Sequence, residues 1–233
     1  MYTIFSRHFA VIIAFTAVCS LAQFSFGQAP GLNLKNQPNI AFRQDTTMYW
    51  ENKPETYTVK GKSVTMRTNS AKYLWGDSHE FDFDFPYSHS YYRNIAGNFT
   101  AQTTVMLTDD WKNGNAGLLI KLSQSNWIKL YIIKETNVLR LNTVYASDAT
   151  HIDYSTSLLH SNDNKIWLQV SCNNGVLRLK CSTNGRAYET VRILNMPAGY
   201  KSAQVGLMAD SPMSSGFDAS FENLSIRNIA EDQ

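Results

Sequence analysis

The feature that most constrains this chain is a period-two alternation of apolar and polar residues, recurring in short runs. Ser63-Val64-Thr65-Met66-Arg67 alternates, and so does Phe81-Asp82-Phe83-Asp84-Phe85. Further runs cover Phe99–Leu107, Ala116–Leu122, Trp127–Ile133, Val138–Val144, Ile166–Cys172, Val176–Cys181, Tyr188–Ile193, Ala203–Met208 and Phe217–Ile226. Turn signals punctuate them: Lys60-Gly61-Lys62, Asn113-Gly114-Asn115, Asn174-Gly175, Asn184-Gly185 and Ser214-Ser215-Gly216. No segment keeps a helical apolar stripe for three turns, no Pro/Ser-rich linker divides the chain, and no repeat recurs at fixed period. Many short strands about 8–12 residues apart predict an all-β, two-sheet antiparallel sandwich with one core.

The N-terminal residues read as an address. Arg7 and His8 precede a run from Phe9 to Ala22 that is almost wholly apolar or small. This run is short of the ~20 residues a spanning helix needs. Small residues before Gln23 and again before Gln28 fit signal-peptidase cleavage after residue 22 or 27. The expectation is an exported protein, periplasmic or extracellular, with residues 1–27 removed and no membrane span in the mature form. Residues 28–233 then form a single domain. Val18 before Cys19 argues against lipid attachment.

The whole chain holds 21 basic and 19 acidic residues, and removal of Arg7 leaves a charge of +1. Such a balance excludes nucleic-acid binding driven by phosphate neutralisation. Export permits a disulfide between Cys172 and Cys181, but geometry opposes it. In a hairpin turning at Asn174-Gly175, Cys172 faces Leu177, and Cys181 lies ~13 Å further along at ~3.3 Å per residue. A disulfide needs Cα atoms within ~7 Å, so two free thiols are expected.

Several short motifs fall in a characteristic order: Trp50-Glu51-Asn52-Lys53-Pro54, Gly97-Asn98-Phe99-Thr100-Ala101, Asn115-Ala116-Gly117-Leu118-Leu119-Ile120, Asn126-Trp127-Ile128-Lys129, Ala146-Ser147-Asp148, Trp167-Leu168-Gln169-Val170, Cys181-Ser182-Thr183-Asn184-Gly185 and Val205-Gly206-Leu207-Met208-Ala209-Asp210. Their order and spacing resemble a family of unknown function in the concanavalin A-like lectin/glucanase superfamily, whose members are often labelled "regulation of enolase" proteins. The resemblance spans roughly residues 48–228. It implies a concanavalin A-like jelly-roll of two curved antiparallel sheets, and no established reaction. Related sandwiches look like the accessory domain of some bacterial β-xylosidases. The chain departs from the family at Gly114-Asn115, where an acidic-Gln pair is common, at Cys172, often Arg, and at Ala149, often Trp.

Two chemistries follow. Glu80, Asp82 and Asp84 share one face of a strand whose other face carries Phe81, Phe83 and Phe85. Neighbours at i and i+2 are roughly 6.6 Å apart at Cα, close to the ~5–5.5 Å a retaining glycosidase requires between carboxyl groups. The pattern looks like the acidic strand of laminarinase-type hydrolases, with Glu80 as nucleophile, Asp82 as orienting acid and Asp84 as proton donor. The alternative is an outward polar face over an aromatic core.

Carbohydrate binding has wider support, because sugar sites combine aromatic faces with orienting polar groups. Trp75 with Asp77 and His79, Trp111, Asn115, Trp127 with Lys129, and Glu135 are the ligand-binding candidates. The alternative for the tryptophans is the core, for Trp50 and Trp167 first and for Trp127 as well, whereas Trp111, in a loop, is expected outside it. Asp148, His151 and Asp153 read as loop polarity rather than a metal site, so no metal ligands and no cofactor are assigned. Related sandwiches often carry a structural calcium, which these residues leave open. The leading expectation is non-catalytic binding of a glycan or other extracellular ligand. A laminarinase-like glycoside hydrolase and an envelope protein-interaction module are the alternatives. The oligomeric state is not legible.

Overall fold

The computed structural model describes residues 46–69, 88–111, 114–135, 138–147, 151–161, 163–197, 199–212 and 215–229. These all lie in one compact unit, Arg43–Gln233. Residues 1–27, Trp75, Asp77, His79, Glu80, Asp82, Asp84 and Asp148 lie outside the described residues.

Fourteen strands are described: β1 Tyr49–Glu51, β2 Tyr57–Lys60, β3 Ser63–Arg67, β4 His89–Ala96, β5 Phe99–Met106, β6 Asn115–Lys121, β7 Trp127–Lys134, β8 Leu139–Ser147, β9 His151–Leu159, β10 Lys165–Asn173, β11 Val176–Ser182, β12 Glu189–Asn195, β13 Ser202–Asp210 and β14 Asp218–Asn228. They form two seven-stranded sheets. The first runs β1-β4-β13-β6-β7-β8-β9 and the second β12-β11-β10-β5-β14-β3-β2. All pairings are antiparallel. The fold is the expected all-β jelly-roll sandwich.

Alternation dictates how the sheets stack. Leu118 and Ile120 of β6, Ile128, Leu130 and Ile132 of β7, and Val205 and Leu207 of β13 point inward from the first sheet. Ala101 and Val105 of β5, Ile166, Leu168 and Val170 of β10, and Leu177 and Leu179 of β11 meet them from the second. The core therefore lies between the sheets, and the odd residues of β7 and even residues of β13 are left for the outer face.

Local geometry follows the turn residues. Asn174 and Gly175 take φ of 49° and 75°, the positive pair a two-residue type I′ hairpin requires. Cys172 pairs with Leu177 and Cys181 with Leu168, so the two buried cysteines are free. Burial pushes the Cys181 thiol up to about 12, which keeps it protonated and unreactive.

Four strands lack a clear alternating signal in the sequence: β1, β2, β4 and β9. In β9 nearly every residue is exposed, because the strand pairs only with β8 at the sheet edge. His151 and Asp153 therefore sit in a strand and not in a loop. Arg192 of β12 donates to the Asp153 carboxylate and, at 3.1 Å, to Thr143 Oγ1. That contact joins the neighbouring edges of the two sheets.

Candidate functional site

The outer face of the first sheet carries the residues that do not belong to the core. Register sets them in rows. Asn94, Gln204, Lys121, Trp127, Ala146 and Ile152 stand side by side across β4, β13, β6, β7, β8 and β9. The next row contains Tyr92, Gly206, Leu119, Lys129, Val144 and Tyr154, and the one after it Ser90, Met208, Gly117, Tyr131, Asn142 and Thr156. An ordinary solvated sheet face would alternate polar residues here. Instead Leu119, Trp127, Tyr131, Val144, Ala146 and Met208 form a second apolar cluster.

Polar groups are set into this cluster. Lys129 Nζ lies 3.7 Å from Asp210 Oδ2 and 5.1 Å from the centre of the Trp127 ring. Asn115 Nδ2 donates to Asp210 Oδ1 at 2.5 Å. Tyr154 Oη donates to Asn142 Oδ1 at 2.5 Å. Burial pulls the Lys129 ammonium below its ordinary range, while the Asp210 carboxylate opposes the shift. Burial, with Tyr154 and Asp210 nearby, raises the Tyr131 phenol. Buried charge of this kind is costly unless paired, and the Lys129–Asp210–Asn115 chain supplies the pairing.

Two glycines let the strands close around the cluster. A Cβ on Gly117 would come within 2.1 Å of Leu130 O, and one on Gly206 within 2.1 Å of Tyr91 O. No side chain fits at either place, which accounts for a glycine in each of the Ala-Gly-Leu and Val-Gly-Leu motifs.

At the Asn94–Gln204–Lys121 end, the face opens into a polar recess of about 370 Å³. Glu51, Asn94, Lys121, Ser123, Gln124 and Gln204 contribute its polar groups. Lys121 Nζ donates to Glu51 Oε1 at 2.6 Å, with the lysine only 5% exposed. The β6–β7 turn is held by Ser123 Oγ, which accepts from the Asn126 backbone N–H at 3.1 Å.

The structure thus brings together three of the expected ligand-binding residues, Asn115, Trp127 and Lys129, and adds Asp210. Trp127 is 3% exposed, so it is a buried wall of the face and not an open stacking platform. Glu135 stands at the β7–β8 turn, where Arg140 Nε donates to its Oε1 at 2.9 Å. The expectation for Trp111 is corrected. It is 1% exposed, its ring stacks on Phe217 at 4.8 Å, and its Nε1 donates to Gly114 O at 2.8 Å. A loop tryptophan with its one donor satisfied by backbone is core. Trp167 departs the other way: it points away from the core between Ile166 and Leu168 and lies over Gly185. Trp50 is partly buried against the core, as expected.

Glu51, Lys121, Asn94 and Gln204 are far apart in sequence, and only Glu51 falls in a motif that stood out. Among the described residues no group of three or more His, Cys, Asp or Glu is placed to hold a metal ion. Nor is any helix among them long and apolar enough to cross a membrane.

With this geometry in hand, the chain can be set beside known proteins. It is 25% identical over 177 residues to "Regulation of enolase protein 1" of Saccharomyces cerevisiae, covering 76% of this chain and 87% of that protein. A crystal structure of a functionally unknown protein from Saccharomyces cerevisiae superposes with a TM-score of 0.65 at 23% identity, over 78% of this chain and 97% of the other. A legume lectin-like domain from Entamoeba histolytica gives 0.55 at 11% identity, over 78% and 90%. A mutant GH43 protein from Bacillus licheniformis gives 0.59 at 14% identity, over 78% of this chain but 37% of that one. These structural likenesses establish a lectin-like sandwich that also occurs within glycoside hydrolases. A family model described as "Protein of unknown function (DUF1349)" matches residues 50–229, and the chain belongs to that family.

Proposed function

We propose that this protein is an exported, non-catalytic carbohydrate-binding protein that holds its ligand on the outer face of the first sheet. The observation that carries the reading is the polar recess at the end of that face. Carboxylate, ammonium, amide and hydroxyl groups converge on it, the set that fixes a polyhydroxylated ligand. The fold it shares with a lectin-like domain supports the same reading. The same sandwich also occurs within a GH43 protein, over 37% of that chain. Export rests on the apolar segment before Gln23 and Gln28.

The test is a polysaccharide array probed with the secreted protein and read for retention and for released sugar ends. Retention without release is expected, from protein whose first residue is Gln23 or Gln28. Release of reducing ends would instead put Glu80, Asp82 and Asp84 forward as a hydrolase site. A stable protein complex with no retained glycan would favour an interaction module.

A further inference from the structure

Lys121 and Glu51 meet in the recess although β13 and β4 separate their strands in the sheet. One carboxylate oxygen takes the lysine, and the other, Glu51 Oε2, is buried with no hydrogen-bond partner among the described residues. A carboxylate oxygen deprived of water and of a donor is costly. The terminal torsion of glutamate is broad, so that oxygen swings to an entering donor at little expense. Asn94 and Gln204 stand beside Lys121 across adjacent strands, each offering an amide that donates and accepts.

Charge narrows what the donor belongs to. Among the described residues the recess is lined by one acid and one base, which pair with each other at 2.6 Å. An anionic ligand would have to take Lys121 from Glu51 while facing that carboxylate. A cationic ligand would find no second acid among the described residues. A neutral hydroxyl loses nothing, because it donates to the carboxylate and accepts from an amide. Leu122 and Ala203 add apolar surface beside these groups, suited to the C–H face of a sugar ring. The volume of about 370 Å³ is at the small end of the ~300–1,000 Å³ typical of ligand pockets, which fits a chain end better than a run of rings.

We propose that the recess formed by Glu51, Lys121, Asn94 and Gln204 binds the terminal residue of a neutral, hydroxyl-rich glycan, with the Glu51 carboxylate accepting a sugar hydroxyl proton. This rests on the carbohydrate-binding reading and assigns it a site and a charge class.

The test is calorimetric titration of the full-length protein with neutral xylo-, arabino-, gluco- and galacto-oligosaccharides and with their uronate-ended counterparts. At least one neutral probe should bind, and its uronate-ended form should bind at least tenfold more weakly. Asn94→Ala and Gln204→Ala should each weaken the neutral probe by roughly threefold to tenfold, the loss of one net hydrogen bond, with unchanged melting. Glu51→Gln should weaken it at least tenfold. Neutral binding untouched by Asn94→Ala, Gln204→Ala and Glu51→Gln would remove this site and leave the carbohydrate reading standing. Preference for the uronate end would overturn the charge assignment. Absence of binding by every probe would sink the site together with the reading beneath it.

Discussion

Trp111 and Trp127 both look available in the sequence, flanked by polar residues and turns, and both are buried. Trp111 is held by Phe217 and by Gly114, whose own Cβ position is filled by the Phe217 ring. Trp111→Ala should therefore cost about 3–5 kcal/mol, the range for emptying a core aromatic site, measured by chemical denaturation. A cost below ~1 kcal/mol would mean that the ring is not core. Neighbours in sequence report the polarity of a loop but not which distant ring closes over it, so the placement of Trp111 was illegible. The thiols were legible, because hairpin register depends only on a local turn.

At the scale of elements, the alternating strands were readable wherever one face met the core. Strands β4 and β9 were not. β4 carries Arg93 and Asn94 amid its apolar positions, and β9 is a polar edge strand with nothing to pack against on most of its length. The β6–β7 pair shows what the legible motifs are for. Gly117 allows β7 to approach so closely that an added methyl meets Leu130 O. Gly117→Ala should destabilise the sandwich by about 1–3 kcal/mol, the usual overpacking cost. Hydrogen exchange should locate the loosening in β6 and β7. Unchanged protection there would show that the close approach is not required.

At the scale of the molecule, two sheets place their inward faces in one core and leave the first sheet with a second, outer cluster. Period-two patterning predicts such a sandwich and puts Trp127 and Lys129 on one face. It does not predict that Asp210 reaches Lys129, or that Glu51 reaches Lys121 from the β1 edge of the sheet. Those contacts depend on strand order, which crosses from β4 to β13 to β6 and leaves no trace in local sequence. The recess exists because of that order, and the account of function stands on it.

The most direct measurement is backbone and side-chain amide NMR of the protein titrated with a neutral oligosaccharide retained on the array. The account predicts shifts concentrated at Asn94, Lys121 to Gln124 and Ser202 to Gln204, with the outer-face amides of β7 moving less. Shifts confined to the second sheet, or to the β8–β9 edge, would contradict it.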